Sequence, residues 1–183
     1  MIDTQITENQ LLEDLKKKPN HSAFNILVQQ YQERLYWHIR HMVKNHEDTD
    51  DVLQNVFIKV HRSIGNFKGD SKLYTWLYRI ATNEALTFLN KRAKQYQISS
   101  EALQDRLIDS LESDSYFEGD EIQLKLQRAI QSLPEKQQSV FRMKYFDDIT
   151  YEQLSEITDT SVGALKSSYH IATKKITEFL KNI

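Results

Sequence analysis

Apolar side chains recur along this chain every three to four positions and almost nowhere every two. That period belongs to helices with one buried face, whereas a half-buried strand alternates. Phe24, Leu27, Val28, Tyr31, Leu35, Ile39 and Met42 trace one such face, in a long helix predicted to start at Ser22, whose hydroxyl suits a cap. Val52, Val56 and Val60, flanked by Leu53 and Phe57, trace a second; the acids from Asp48 onward favour a helix start there. Leu73, Leu77, Ile80, Ala81 and Phe88 trace a third, from about Ser71. Trp76 and Asn83 border that face, Thr75, Arg79 and Thr82 point away from it, and Glu84 interrupts it for no reason the pattern supplies. Ahead of these, Ile6, Leu11, Leu12 and Leu15 predict a short helix ending near Pro19 and Asn20.

The C-terminal third carries its own set. Ile122, Leu124, Leu126, Ala129, Ile130 and Leu133 predict a helix from about Glu121. Ser132-Leu133-Pro134-Glu135 reads as its stop and as a capping box for the next helix, which holds Val140, Phe141, Met143 and Tyr145. After a turn at Phe146-Asp147-Asp148-Ile149, a second capping box, Thr150 to Gln153, opens a short helix with Leu154 and Ile157 inward. A polar turn, Thr158 to Ser161, leads to a last helix from Val162 to Leu180, with Val162, Leu165, Tyr169, Ala172 and Ile176 inside. A short helix, a tight turn and a longer second helix make a helix-turn-helix.

Between the two sets, Gln95 to Asp120 lacks sustained periodicity. Its centre, IDSLESDSYFEGDE, is rich in Ser, Asp and Glu, too polar to order itself well. The expectation is an all-α chain of two small helical domains, residues 1–94 and 121–183. An acidic flexible linker, residues 95–120, joins them, with at most a short helix from Glu101 to Leu111. A length of 183 residues allows one domain or two small ones, and only 4 Gly and 2 Pro agree with helices.

The chain has no cysteine, which removes disulfides, thiolate zinc sites and a cysteine nucleophile, and suits a reducing cytoplasm. The opening MIDTQITENQ lacks a basic start followed by an apolar run, so no signal peptide is expected, and no apolar run approaches membrane-spanning length. The net charge of −2 hides an uneven distribution. Arg62 to Lys94 holds seven basic and two acidic residues, net +5; Glu101 to Glu121 holds eight acids and one Arg, net −7; Thr160 to Ile183 holds four Lys and one Glu, net +3. Two basic modules on either side of an acidic segment suggest two contact surfaces and a connector of different purpose.

In the basic stretch, aromatics interleave with the charge: Phe67, Tyr74, Trp76 and Tyr78. Cations hold phosphates and flat rings stack on unpaired bases, a combination suited to a single strand rather than a duplex. Phe67-Lys68-Gly69-Asp70 ahead of the helix reads as a loop. On the last helix, Gly163, Ala164, Ser167, His170, Ile171 and Lys174 share the outer face with Lys166 at its edge; small residues allow close approach to a groove, and Ser, His and Lys reach base edges or phosphates. His38, His41 and His46 near Glu47, Asp48, Asp50 and Asp51 invite a metal reading, but they sit in a polar stretch at a helix end, and no metal site or cofactor is expected.

The order of these residues resembles a known family. FKGDSKLYTWLYRIATNEAL is similar to the promoter-melting and minus-ten-reading segment of extracytoplasmic-function sigma factors, a subfamily of the sigma-70 family. DTDDVLQNVFIKV resembles the helix of the same family with pattern D-A-E-D-L-V-Q-E-V-F, and TYEQLSEITDTSVGALKSSYHIATKKI resembles the minus-thirty-five-reading module with pattern V-G-T-V-R-S-R-L-H-R-A-R. The likeness spans roughly Ala23 to Ile176. It implies a protein without catalytic chemistry or a small-molecule substrate. Such a factor binds core RNA polymerase at the largest-subunit clamp helices and the flap, directs promoter recognition and melting in response to an envelope or extracellular signal, and is held by an anti-sigma factor, all in the cytoplasm without membrane insertion.

Carried over residue by residue, the likeness implies polymerase contacts at Asp48, Asp50, Asp51, Gln54 and Phe57, with Asn55 standing where the family has Glu. It implies minus-ten contacts at Phe67, Lys68, Asp70, Ser71, Tyr74, Trp76, Arg79 and Asn83, with Phe67 to Asp70 and Asn83 holding a flipped base. It implies minus-thirty-five contacts at Ser161, Gly163, Ala164, Lys166, Ser167, His170 and Lys174. Lys166 lacks the arginine fork, and Ser168, Ile171 and Thr173 stand where arginines are usual, which predicts fewer phosphate contacts for this module alone. Two other readings of the sequence are a stand-alone helix-turn-helix regulator and a metal enzyme built on His38, His41 and His46.

Overall fold

The computed structural model describes residues 8–16, 21–114 and 121–182. Ile6, Pro19, Asn20 and the linker positions 115–120 lie outside these residues. All regular structure among the described residues is helical. In order these are α1 (Glu8–Lys16), α2 (His21–Val43), α3 (His46–Ser63), α4 (Leu73–Tyr96), α5 (Ser100–Asp109), α6 (Glu121–Gln131), α7 (Glu135–Tyr145), α8 (Tyr151–Thr158) and α9 (Val162–Lys181), with short 3-10 turns at Ile64–Asn66 and Ser110–Ser113.

α2, α3 and α4 pack mutually around Leu27, Leu35, Ile39, Val52, Val56, Val60, Leu73, Leu77 and Ala81, the stripes the sequence marks. α2 begins at His21, so Ser22 lies within its first turn rather than before it. α3 is capped by Asn45, whose side chain accepts from the Asp48 N–H at 2.9 Å; the acids Glu47 and Asp48 occupy its first turn and do not cap it. The two-residue joint between α2 and α3 needs one left-handed residue, and Lys44 supplies it at φ 63°. α1 covers the α2 end with Leu11 and Leu15, and the Glu8 carboxylate accepts from the Leu73 N–H at 3.0 Å, capping α4 from outside.

α4 departs from its expected face. Thr75, Tyr78 and Thr82 are buried along with Leu73, Leu77, Ala81, Ala85, Leu89 and Ala93, while Ile80 and Phe88 are only half-buried. A helix covered on one side would leave Thr75 and Thr82 wet. α4 is packed by four helices, α2, α3, α5 and α8, and Thr82 meets His38 of α2. Glu84, the acid on the apolar stripe, pairs with Lys59 of α3 at 2.6 Å.

Within the acidic segment, Ser100–Asp109 form α5 and Ser110–Ser113 a 3-10 turn. Ser99 caps α5 through the Ala102 N–H, and Leu103, Leu107, Ile108 and Leu111 are buried, because this short stripe meets α4 on one side and α6 on the other. Arg40 of α2 holds the Asp114 carboxylate.

In the C-terminal module, α6, α7 and α9 share a small core of Ala129, Ile130, Leu133, Phe141, Ala172 and Ile176. The expected Ser132–Glu135 capping box does not form. The Ser132 hydroxyl still donates back to Ala129 O at 2.7 Å at the end of α6, and Pro134 takes the cap position of α7, which makes Glu135 its first residue rather than its third. Gln138 closes the joint by donating to the carbonyls of Gln131 and Leu133. The second capping box forms as expected: Gln153 N–H to the Thr150 hydroxyl at 3.2 Å and Thr150 N–H to the Gln153 side chain at 3.0 Å. Asp159, left-handed at φ 52°, turns the chain from α8 into α9, and Ser161 caps α9.

The two modules meet. Val140, Met143, Ile149, Leu154, Ile157 and Leu165 belong to the same apolar cluster as the α2–α4 core, with α8 lying against α4.

Candidate polymerase and nucleic-acid interfaces

Along α3, residues three and four apart share a face. Asp50, Asp51 and Gln54 are exposed, and Asp50 is paired loosely with His46 at 3.5 Å. Asp48 is otherwise engaged: its carboxylate binds the guanidinium of Arg92 on α4, so it ties α3 to α4 instead of facing outward. Phe57 is half-buried, edge-on to Phe24 with ring centroids 6.4 Å apart. Ile58, 42% exposed, continues the face of Asp51 and Gln54 at helical spacing. The family likeness named Phe57 and not Ile58 as the apolar contact; an isoleucine seven residues after Asp51 was the available signal.

Before α4, Gly69 adopts φ 83°, a conformation that favours glycine, and the bend leaves Lys68 and Asp70 exposed and Ser71 half-exposed. Phe67 is buried, 6% exposed, against Trp76 with ring centroids 5.2 Å apart and the Lys16 ammonium 5.7 Å from its ring. It therefore forms the floor of this loop and offers no free face to a base. Trp76 is half-buried beside it. Tyr74 and Tyr78 pack with their rings tilted by 40° and centroids 4.3 Å apart, and burial raises both phenols above the usual tyrosine range. Arg79 and Asn83 are exposed one turn apart on α4, on the side toward α8. The eight positions thus split between the loop, with Lys68, Asp70 and Ser71 at its surface, and the helix flank, with Tyr74, Arg79 and Asn83.

On α9, Gly163, Ala164, Lys166, Ser167, His170 and Lys174 are all exposed and form one outer stripe, joined by Ile171 at 44% exposure. Ser161 has a structural task, accepting from the Ala164 N–H at 3.3 Å. The Tyr151 ring lies between two ammonium groups, 5.6 Å from Lys144 and 5.7 Å from Lys166, which steadies Lys166 at the rim of the stripe.

His38 and His41 go to the seam between modules, and His46 stays within the first. His38 Nδ1 lies 2.7 Å from Asp147 Oδ2 and Nε2 lies 2.9 Å from the Thr82 hydroxyl. His41 stacks on Phe146 with ring centroids 4.1 Å apart, and burial lowers its pKa to about 4. His46 accepts or donates to the Tyr36 hydroxyl at 2.7 Å. Among the described residues no three histidine or carboxylate side chains gather as a metal site would need, and no helix is long and apolar enough to cross a membrane.

Two family models match this chain in order: Sigma-70 region 2 over residues 27–95 and Sigma-70, region 4 over residues 123–176. The chain is 32% identical to the RNA polymerase sigma-H factor of Pseudomonas aeruginosa, across 97% of this chain and 96% of that one.

The chain belongs to the extracytoplasmic-function sigma factors of the sigma-70 family.

This sigma factor is also 30% identical to the ECF RNA polymerase sigma-E factor of Escherichia coli K12, over 96% and 95% of the two chains. Two solved structures share its fold. CnrH, solved in complex with the cytosolic domain of CnrY, matches with a TM-score of 0.70 at 19% identity, covering 96% of this chain and 97% of that one. The sigma factor RpoE of Bartonella quintana, solved with the anti-sigma factor NepR, matches at 0.64 and 18% identity, over 86% and 96%.

Proposed function

We propose that this chain binds core RNA polymerase and directs promoter recognition, melting and transcription initiation. The observation that carries this is the pairing of two modules in family order, each presenting an exposed polar stripe where the family likeness asks for one: α3 and the Lys68–Ser71 loop in the first, the outer face of α9 in the second.

In this reading Asp50, Asp51 and Gln54, with Ile58, face the clamp helices of the largest subunit, and residues 121–183 reach the flap. Asp48 and Phe57 hold that surface in shape. Lys68, Asp70, Ser71, Arg79 and Asn83 meet the non-template strand, with Tyr74 and Trp76 behind them. Gly163, Ala164, Lys166, Ser167, His170 and Lys174 enter the major groove upstream. Melting needs no covalent step, since the strand-binding groups act only on unstacked bases and so favour the open state. The factor works in the cytoplasm and is held by an anti-sigma partner until an envelope or extracellular signal releases it.

Gel filtration of the purified chain with core polymerase, without DNA, tests the reading. Co-elution that weakens in Asp51→Ala and Gln54→Ala is expected. Separate elution at micromolar concentration overturns it in favour of a stand-alone duplex binder.

A further inference from the structure

A cavity of about 170 Å³ opens where α4, α5 and the α6–α7 joint come together. Part of its wall is apolar, from Leu86, Leu89 and Leu103. The rest is polar and does not satisfy itself. Arg142 of α7 is 7% exposed, and its Nε and Nη2 have no hydrogen-bond partner. Gln104 of α5 and Gln131 of α6, on the same wall, each keep a buried Oε1 with no donor. Among the described residues seven buried side-chain atoms are unpartnered, and four of them belong to these three residues. Buried polar groups are nearly always bonded, so four orphans on one wall point to a ligand.

The charge balance gives the ligand its sign. Among the described residues no carboxylate pairs with Arg142; burial lowers its pKa to about 10, which leaves the guanidinium charged at neutral pH. Lys44, 2% exposed, lies close enough that Arg142 depresses its ammonium further, and its one hydrogen bond goes to the His41 carbonyl. Arg40, the third cation of this region, is already held by Asp114. The acids of the cavity rim, Glu101 and Glu135, are exposed to solvent. α5 and α7 also begin at that rim, at Ser100 and Glu135, and their first amide groups add positive potential.

The orphaned atoms narrow the class. Nε and Nη2 form one edge of the guanidinium, the fork that takes two oxygens of a carboxylate or a phosphate side by side. The two glutamine oxygens accept, so the ligand must also donate. At about 30 Å³ per water the space equals roughly five or six waters, enough for a phosphate or a short acid and too small for a nucleotide.

We propose that this cavity binds a small oxyanion carrying its own hydroxyl, seated on the Arg142 fork with its O–H donated to Gln104 or Gln131. Protonated inorganic phosphate and a short hydroxy acid share that chemistry. The wall is drawn from α4, α5, α6 and α7, so only the folded chain binds the anion, and the anion raises stability by mass action. The site stands whether or not the chain binds polymerase, and its test needs neither polymerase nor DNA.

The full chain in a phosphate-free chloride buffer is titrated calorimetrically with inorganic phosphate, with lactate and with acetate at constant ionic strength. Saturable heat with phosphate or lactate is expected, and the tighter of the two identifies the source. Acetate, which leaves the glutamine oxygens unpaired, should bind about tenfold more weakly. At a hundredfold excess over the dissociation constant the bound anion should raise Tm by about 5–10 °C. Arg142→Met should abolish both the heat and the rise in Tm, while its Tm in chloride stays at or above the parent's, because it removes a buried unpaired charge. Gln104→Leu should weaken binding about tenfold and decides the matter if Arg142→Met does not fold. No saturable heat at millimolar phosphate or lactate overturns the site, and so does a Tm rise that chloride reproduces, which is ionic strength alone. Acetate binding as tightly as lactate overturns the role of the glutamines. Undiminished binding in the variants places the anion elsewhere and overturns the assignment to this cavity.

Discussion

His38 and Asp147, 109 residues apart, are joined by a 2.7 Å hydrogen bond between nearly buried side chains at the seam of the two modules. One turn further along α2, His41 stacks on Phe146, the residue before Asp147. His41 differs from a surface histidine in being wedged in the seam, where burial favours its neutral ring.

Acid should therefore loosen the protein through His41. Burial lowers its pKa from 6.5 to about 4, against a smaller opposing pull from Asp147 and with Lys44, His38 and Arg142 adding to the depression. The unfolded chain takes up the proton first as pH falls below 6.5, so stability is full above that value and declines between about 6.5 and 4 by up to about 3 kcal/mol. Thermal melts from pH 8 to 4.5 should show this loss, and His41→Phe, which keeps the stack, should flatten it. An equal acid slope in both proteins would exclude His41 as the cause.

Lys44 carries two penalties at one position: a left-handed backbone at φ 63° and a buried ammonium whose pKa burial drives well below the usual lysine range. Lys44→Gly removes both and gives up one hydrogen bond to the His41 carbonyl. A gain of about 1 kcal/mol is expected, a rise in Tm of about 2–4 °C for a domain of this size. A lower Tm would mean that the bond to His41 outweighs the two penalties.

The helices and their inner faces were legible in the sequence because periodicity depends on short spans: Val52, Val56 and Val60 line α3, and Leu165, Ala172 and Ile176 line α9. The Thr150–Gln153 box was legible for the same reason. The seam was not. Thr75 and Thr82 read as solvent-facing but are buried, Thr82 against His38 of α2, and the carboxylate partners of His38 and Arg92 lie 109 and 44 residues away. Ser132 misled because its cap role depends on where Pro134 starts the next helix, a difference of two residues. Phe67 read as a base-stacking ring from its loop, and the packing with Trp76 places it in the core.

Gly69 should matter for its backbone alone. A Cβ there meets no atom within 4 Å, yet φ is 83°. Gly69→Ala is expected to cost about 1–2 kcal/mol of loop strain, or to shift the loop and misplace Lys68 and Asp70. Promoter opening by the holoenzyme should drop while co-elution with core polymerase stays intact. Unchanged opening would show that the loop tolerates another conformation.

The division of labour between the modules can be tested at Asn83. Its side chain is exposed on α4, with no hydrogen bond holding it to the fold, while its own carbonyl accepts from Thr87 within the helix. Asn83→Ala is thus expected to leave the unfolding free energy within about 0.5 kcal/mol of the parent. If its amide holds an unstacked base, losing it should lower open-complex formation by about tenfold, the worth of one good hydrogen-bonded base contact. The α9 stripe lies on another helix of another module, so binding of the holoenzyme to an upstream duplex that lacks the minus-ten element should be unchanged. Permanganate reactivity of the melted strand measures the first, and a mobility shift with that duplex measures the second. Equal losses in both assays would mean that the two readers are not separable, and the assignment of α4 to the strand and α9 to the groove would fall together.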